Sequence, residues 1–219
     1  MDYYAAAAVI PNLLASAITA LVAYKVWTGN RTAHRKAMAL SFLFVSLSSL
    51  MLLAEKLISD VALARAVVVA EYVCDSMILI TLLIFVMQYI GLERFVTRRN
   101  ILLVSSPAVL IVLLNATDPL HHLFYEDVVI IQSHGFYMFD AQYGPLFLMW
   151  IVYYLSAIVL VNLLMAKAIL DTPSERRAGL AALMMATSAV LFTSLIYIAT
   201  PRDDPFLDVM SIGFTLAAL

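Results

Sequence analysis

The sequence predicts an all-α membrane protein, a seven-transmembrane-helix bundle with its N-terminus outside and an extracytoplasmic β-hairpin loop between helices 4 and 5. Three observations predict it. The 219 residues are 64% hydrophobic and 13% charged, whereas a soluble domain is nearer half apolar and a quarter charged, so the excess apolar surface calls for lipid as solvent. The apolar residues fall in runs of about 20 bounded by charge, the length a helix needs to cross a bilayer. The lysines and arginines are sorted to alternate loops, as the positive-inside rule requires.

Helix 1 is predicted at about 5–27 and helix 2 at about 37–58. The opening "MDYYAAAAVIPN" lacks a basic n-region, so it does not read as a cleaved signal peptide. Helix 3 is predicted at about 64–90 and helix 4 at about 99–115. Helix 5 follows at about 145–168, with Pro145 in its first turn after Gly144. Helix 6 is predicted at about 178–199, and helix 7 starts near 205. Pro11 and Pro107 lie inside spans, where neighbouring groups can take up the freed carbonyls. From Pro205 to Leu219 there are 15 residues, short of a span. Residues 1–219 are therefore expected to be one domain with helix 7 truncated, part of a longer parent that continues into the cytosol. The lone cysteine, Cys74, falls inside helix 3.

Ten bases lie on one side: Lys25, Arg31, Arg35, Lys36, Arg94, Arg98, Arg99, Lys167, Arg176 and Arg177. Only Lys56, Arg65 and Arg202 lie on the other. The ten are assigned to the cytoplasm, in a multi-pass plasma-membrane protein. Three acids, Glu93, Asp171 and Glu175, accompany them, leaving that face at +7; the outer part, with three bases and twelve acids, is at −9. A shift of 142 residues lays Lys25 on Lys167, Arg35 on Arg177 and Ser46 on Ser188, a weak parallel repeat of helices 1–2 in helices 5–6.

Loop charge explains topology but not the acids within spans: Glu55, Glu71, Asp75 and Asp208. Counting from Ala64, Glu71 is ~10 Å and Asp75 ~16 Å into helix 3, so Asp75 is near the midplane. A charge facing lipid there costs about 2.5–3.5 kcal/mol, so these acids must face the interior, be paired or be protonated. Glu71 and Asp75 are one turn apart on one face. Interhelical hydrogen bonding is the simpler role for such groups. Their clustering with Asn12, Tyr153 and Tyr154 in the outer half predicts an outward-facing cavity instead. Asn12, Glu55, Glu71, Asp75, Tyr153, Tyr154 and Asp208 are the candidate ligand-binding residues.

Above that cavity, "EDVVIIQ" and "GFYMF" flank Ser133, His134 and Gly135, a pattern of branched and aromatic residues about a glycine that predicts the hairpin. His121, His122 and His134 are candidate lid or anchor residues. The donor types suit zinc, but the spacing matches no closed site, so neither a metal nor another cofactor is expected. Tyr3, Tyr4, Trp27 and Trp150 read as interfacial aromatics.

The segment "N-x-x-D-P-L-H-H-L-F-Y", then "Y-G-P-L-F" and "Y-Y-L", resembles the N-terminal seven-helix sensor region of bacterial and archaeal histidine kinases, found also on diguanylate cyclases. Asn115, Pro119, His121, His122, Leu123, Gly144, Pro145, Phe147 and Tyr154 carry the likeness. "L-A-E-K-L" at 53–57 and "E-Y-x-x-D" at 71–75 are similar in place and character. The resemblance implies sensing of an outside or membrane-borne small ligand, an output joined to helix 7, and a homodimeric parent. The chain itself carries no phosphoacceptor or nucleotide motif and no other catalytic motif, and no nucleic-acid partner is expected. The competing readings are a transporter with a midplane site and a seven-helix intramembrane zinc hydrolase, which needs histidines within spans. A retinal photoreceptor would want a lysine in helix 7, and residues 205–219 contain none.

Overall fold

With no water to pair backbone amides in hydrocarbon, long apolar segments satisfy them internally as helices. The computed structural model describes residues 3–29, 32–133, 135–171 and 174–199. Its helices are α1 (Tyr3–Thr28), α2 (Ala33–Glu55), α3 (Val61–Tyr89), α4 (Arg98–Ala116), α5 (Pro145–Asp171) and α6 (Ser174–Ala199). Among the described residues, five stretches are long and apolar enough to cross a membrane, Val9–Thr28 of α1 and the whole of α2, α3, α4 and α5. The predicted helix 7, with Pro205 and Asp208, lies outside the described residues.

Helix boundaries follow caps that hydropathy does not register. Helix 3 starts at Val61, three residues earlier than expected, because the Asp60 carboxylate accepts the Leu63 amide at 2.8 Å. The resulting 29-residue helix is ~43 Å long, longer than the ~30 Å hydrocarbon core. A helix of that length spans the core with residues to spare or tilts within it. Thr97 caps α4 in the same way, accepting the Asn100 amide at 3.2 Å.

Two tightly packed seams organise α1, α2 and α3. Ala15, Ser16, Thr19 and Ala23 of α1 are buried, as are Ser41, Ser46, Ser48 and Ser49 of α2. Small side chains let helix backbones approach closely, and their hydroxyls add hydrogen bonds where lipid offers none. Ser46 Oγ lies 3.0 Å from Ser16 Oγ and donates to the Ser16 carbonyl, joining α2 to α1. Ser41 Oγ lies 2.8 Å from Thr81 Oγ1, joining α2 to α3. At the other pair, Thr187 and Ser188 of α6 both donate to Asn162 Oδ1 of α5 at 3.0 Å. Ser46 and Ser188, superposed by the 142-residue shift, thus each tie their helix to its predecessor.

The expected hairpin is present. Strand β1 (Tyr125–Ser133) pairs antiparallel with β2 (Phe136–Tyr143), with an irregular register between Tyr125 and Asp127. Gly135, with φ +82°, takes a left-handed conformation in the turn. The hairpin is fastened to the bundle by α2: the Lys56 carbonyl accepts the Tyr137 amide at 3.0 Å, and Glu55 Oε1 accepts that of Phe139 at 3.3 Å.

The other end of the hairpin meets α5 at Gly144. Its amide donates to the Phe124 carbonyl at 2.9 Å, and the Leu146 amide donates to that of Leu123 at 3.0 Å. A Cβ on Gly144 would lie 2.3 Å from the Leu123 oxygen and 2.7 Å from its carbonyl carbon. Backbone cannot swing aside as a side chain can, so Gly144→Ala must part these bonds. It is expected to destabilise the fold by about 2–4 kcal/mol, combining overpacking with a lost hydrogen bond. Denaturant titration in mild detergent measures this, and an unchanged midpoint would show that the junction tolerates a side chain.

Candidate functional site

Between the hairpin and mid-bundle lies a layer of packed aromatic rings, not an open vestibule. Tyr72 of α3 meets Phe124 edge-on at 5.4 Å and Trp150 at 4.9 Å. Tyr143 stacks on Phe147 at 3.6 Å. Trp150, expected at the membrane rim, is buried in this layer because its face of α5 turns towards α3; Trp27 is exposed. Burial also pushes the Tyr125 hydroxyl well above the ordinary phenol range, so it stays protonated. The Arg65 guanidinium lies 5.9 Å from the centre of that ring.

One buried carboxylate organises the loop beneath the hairpin. Asp118 is fully buried; its Oδ2 accepts Arg65 Nη1 at 2.9 Å, and its Oδ1 accepts the Phe124 and Tyr125 amides at 2.8 and 3.1 Å. The Asp118 carbonyl accepts the His121 and His122 amides. His121 closes the turn: Nδ1 accepts the Leu123 amide at 3.1 Å, and Nε2 lies 3.3 Å from Thr117 Oγ1. Since Thr117 Oγ1 donates to the Leu113 carbonyl, this network places the imidazole proton on Nε2. His122 is exposed with φ +51°, and His134 lies outside the described residues. Sequence reasoning passed over Arg65 and Asp118, counting Arg65 among the three bases and Asp118 among the twelve acids of one side. The available signal was Asp118 before Pro119, a residue type that binds nearby amides in turns.

Below the aromatic layer, a cavity of about 110 Å³ lies among α1, α2, α3, α5 and α6. Asp75, Tyr154, Thr19 and Thr187 supply its polar groups; Phe42, Leu79 and similar side chains form the rest. Asp75 stands midway along α3, and its Oδ1 accepts from Ser48 Oγ at 2.9 Å. Met38, Leu82 and Leu183 extend the lining towards the basic end of the bundle. The cavity expected to open beneath the hairpin thus lies deeper, because the rings of α3, α5 and the loop fill the half of the bundle nearest the hairpin.

Of the predicted binding residues, Asp75 and Tyr154 line this cavity. Glu71 sits one turn of α3 nearer the hairpin and is half-buried; Asn12 is buried in α1. Neither lines it. Tyr153 points away, its hydroxyl donating to the Val104 carbonyl of α4 at 3.2 Å. Glu55 reaches up to the hairpin. Glu55→Ala is expected to raise hydrogen exchange at the Phe139 amide about tenfold, the equivalent of one hydrogen bond; Glu55→Gln keeps an acceptor and should leave it protected. Among the described residues, no three His, Cys, Asp or Glu side chains converge to hold a metal ion.

No curated protein matches the chain. A family model described as the N-terminal 7TM region of histidine kinase matches residues 11–219, nearly the whole sequence. On that match, together with its apolar helices, the chain is a membrane protein that belongs to the N-terminal seven-transmembrane region family of histidine kinases.

Proposed function

We propose that the chain is the transmembrane sensory input domain of a signal-transducing histidine kinase, a receptor module of two-component signalling. A small ligand from outside or from the membrane binds at Asp75 and Tyr154, and the helices rearrange around it. The seven spans are the five described above, α6, and a last helix beginning near 205, which carries the rearrangement to a cytoplasmic output domain in a homodimeric parent. The N-terminus is outside: ten of thirteen bases collect at the opposite end, and lysine and arginine in short loops are retained in the cytoplasm. His121 holds the loop that joins the hairpin to the bundle, while Asn12 and Glu71 act from around the cavity; Asp208 is retained as a binding candidate on its sequence position alone.

The single observation that supports this reading is a carboxylate at mid-bundle beside a cavity. A carboxylate needed only for packing would be surrounded by partners; Asp75 has Ser48 on one side and a cavity on the other. An ionised Asp75 favours a ligand with a cationic or hydrogen-bond-donating group and an apolar body. Ligand binding changes output only through differential affinity for two arrangements. The test is Glu71→Gln with Asp75→Asn in the full-length parent, measuring autophosphorylation in vesicles. A lost response or altered basal output supports the reading; an unchanged response and basal output overturn it.

A further inference from the structure

A second cleft lies between α3, α4 and α5, at the basic end of the bundle. Its volume is about 330 Å³. Leu83 and Met87 of α3, Ile101 and Val104 of α4, and Leu160 and Leu164 of α5 form its walls. Asn100 is its one polar lining residue among those described, and its Nδ2 is turned to the Phe95 carbonyl at 2.8 Å. Along α3 the lining runs from Ile80 to Met87, a depth of ~10 Å. A water-soluble ligand would find nothing to bond inside.

The mouth is different in kind. Arg94, in the short link from α3 into α4, and Arg98 and Arg99, in the first turn of α4, are all exposed at this end. The Arg94 guanidinium lies 4.8 Å from the centre of the Phe95 ring, which is itself part of the cleft wall. Arg98 is one turn before Ile101 and shares its helix face. Among the described residues, neither Arg98 nor Arg99 forms an ion pair. Both occupy the first turn of α4, which holds no acid. Cations at a helix N-terminus oppose the macrodipole, and an anion there relieves both. Positive-inside sorting accounts for basic residues at this end of the bundle, but not for their setting beside an apolar cleft.

We infer that this cleft is a binding site for an anionic glycerophospholipid, with one acyl chain along α3, α4 and α5 and the phosphate at Arg94, Arg98 and Arg99. The apolar depth selects an acyl chain, and the unpaired arginines select the negative headgroup. Basic pockets between transmembrane helices on the cytoplasmic side recognise anionic lipids in this way. The site is separate from the Asp75 cavity, and its existence does not depend on the sensory reading.

The test is native mass spectrometry of the delipidated chain, titrated with dioctanoyl phosphatidylglycerol, dioctanoyl phosphatidylcholine and glycerol phosphate. One phosphatidylglycerol per chain is expected, with the zwitterionic lipid and the headgroup alone at least about tenfold weaker. Arg98→Gln with Arg99→Gln should weaken phosphatidylglycerol about 25-fold, since each basic residue near an anionic headgroup contributes about fivefold. Val104→Trp should remove the site by filling the cleft while leaving the arginines in place. Equal binding of the two lipids, or undiminished phosphatidylglycerol binding in the arginine variant, overturns the inference. If circular dichroism shows that Val104→Trp does not fold, the arginine variant decides alone, because it changes only exposed side chains.

Discussion

Asp118→Ala is expected to destabilise the folded chain by more than about 3 kcal/mol. Removing one partner of a buried pair leaves the other charge uncompensated, which costs about 3–5 kcal/mol. Here the Arg65 guanidinium loses its carboxylate, and the buried Phe124 and Tyr125 amides lose their acceptor as well. Each orphaned amide adds up to about 1–3 kcal/mol if it stays dry, so partial opening of the loop to water is the expected relaxation. That opening would free Leu123 and Phe124, whose carbonyls hold the start of α5. The effect should therefore reach the aromatic layer, not stop at the loop.

Variants separate the contributions. Asp118→Asn keeps an oxygen for the two amides but turns an amide donor towards Arg65, so it should fall between wild type and Asp118→Ala. Arg65→Ala leaves the carboxylate with its two amides and should be milder than Asp118→Ala. The double variant should be less destabilised than the sum of the singles, because both remove the same pair. Denaturant unfolding in mild detergent, with near-ultraviolet circular dichroism to follow the aromatic layer, measures all four. A midpoint for Asp118→Ala within experimental error of wild type would show that the loop is held by something else.

Asp75→Asn is expected to act on output, not on folding. Ser48 Oγ donates to Asp75 Oδ1, and an asparagine carbonyl oxygen can accept that bond unchanged. The bundle gives up an ionisable group at mid-span without losing a hydrogen bond, so stability should hold or rise. Under the sensory reading, the same change alters the cavity in whichever arrangement uses the carboxylate. Coupling energies between sites are typically about 1–3 kcal/mol, or 5–150-fold. A shift of at least fivefold in basal output or in ligand sensitivity of the full-length parent is the expected result. Asp75→Leu is the harsher control: it leaves Ser48 without its acceptor and fills space, and should impair both output and folding.

The loop histidines and the spans show why some of the site was legible and some was not. His121 stands beside an Asp-Pro turn, and its role within that turn involves neighbours no further than Leu123 and Thr117. Local roles of that kind can be read from the chain. Tyr153 and Tyr154 are adjacent, yet one donates to α4 and the other lines the cavity. Successive helix residues are ~100° apart, so depth in the membrane, which sequence supplies, leaves rotational phase open. Trp150 is the same case: it was expected on the membrane-facing rim, and the face of α5 that carries it is buried.

By itself, the amino-acid order determined the membrane class, six described helices, and the hairpin about Gly135. These follow from run length, charge sorting and turn chemistry, all of which act within a few residues. Only the tertiary structure decided which carboxylate meets which partner. Arg65 and Asp118 are 53 residues apart, and Glu55 and Phe139 are 84 apart; their pairing depends on how the helices rotate and lean. It also decided where space remains, since a cavity is what packing leaves over and no local segment encodes it.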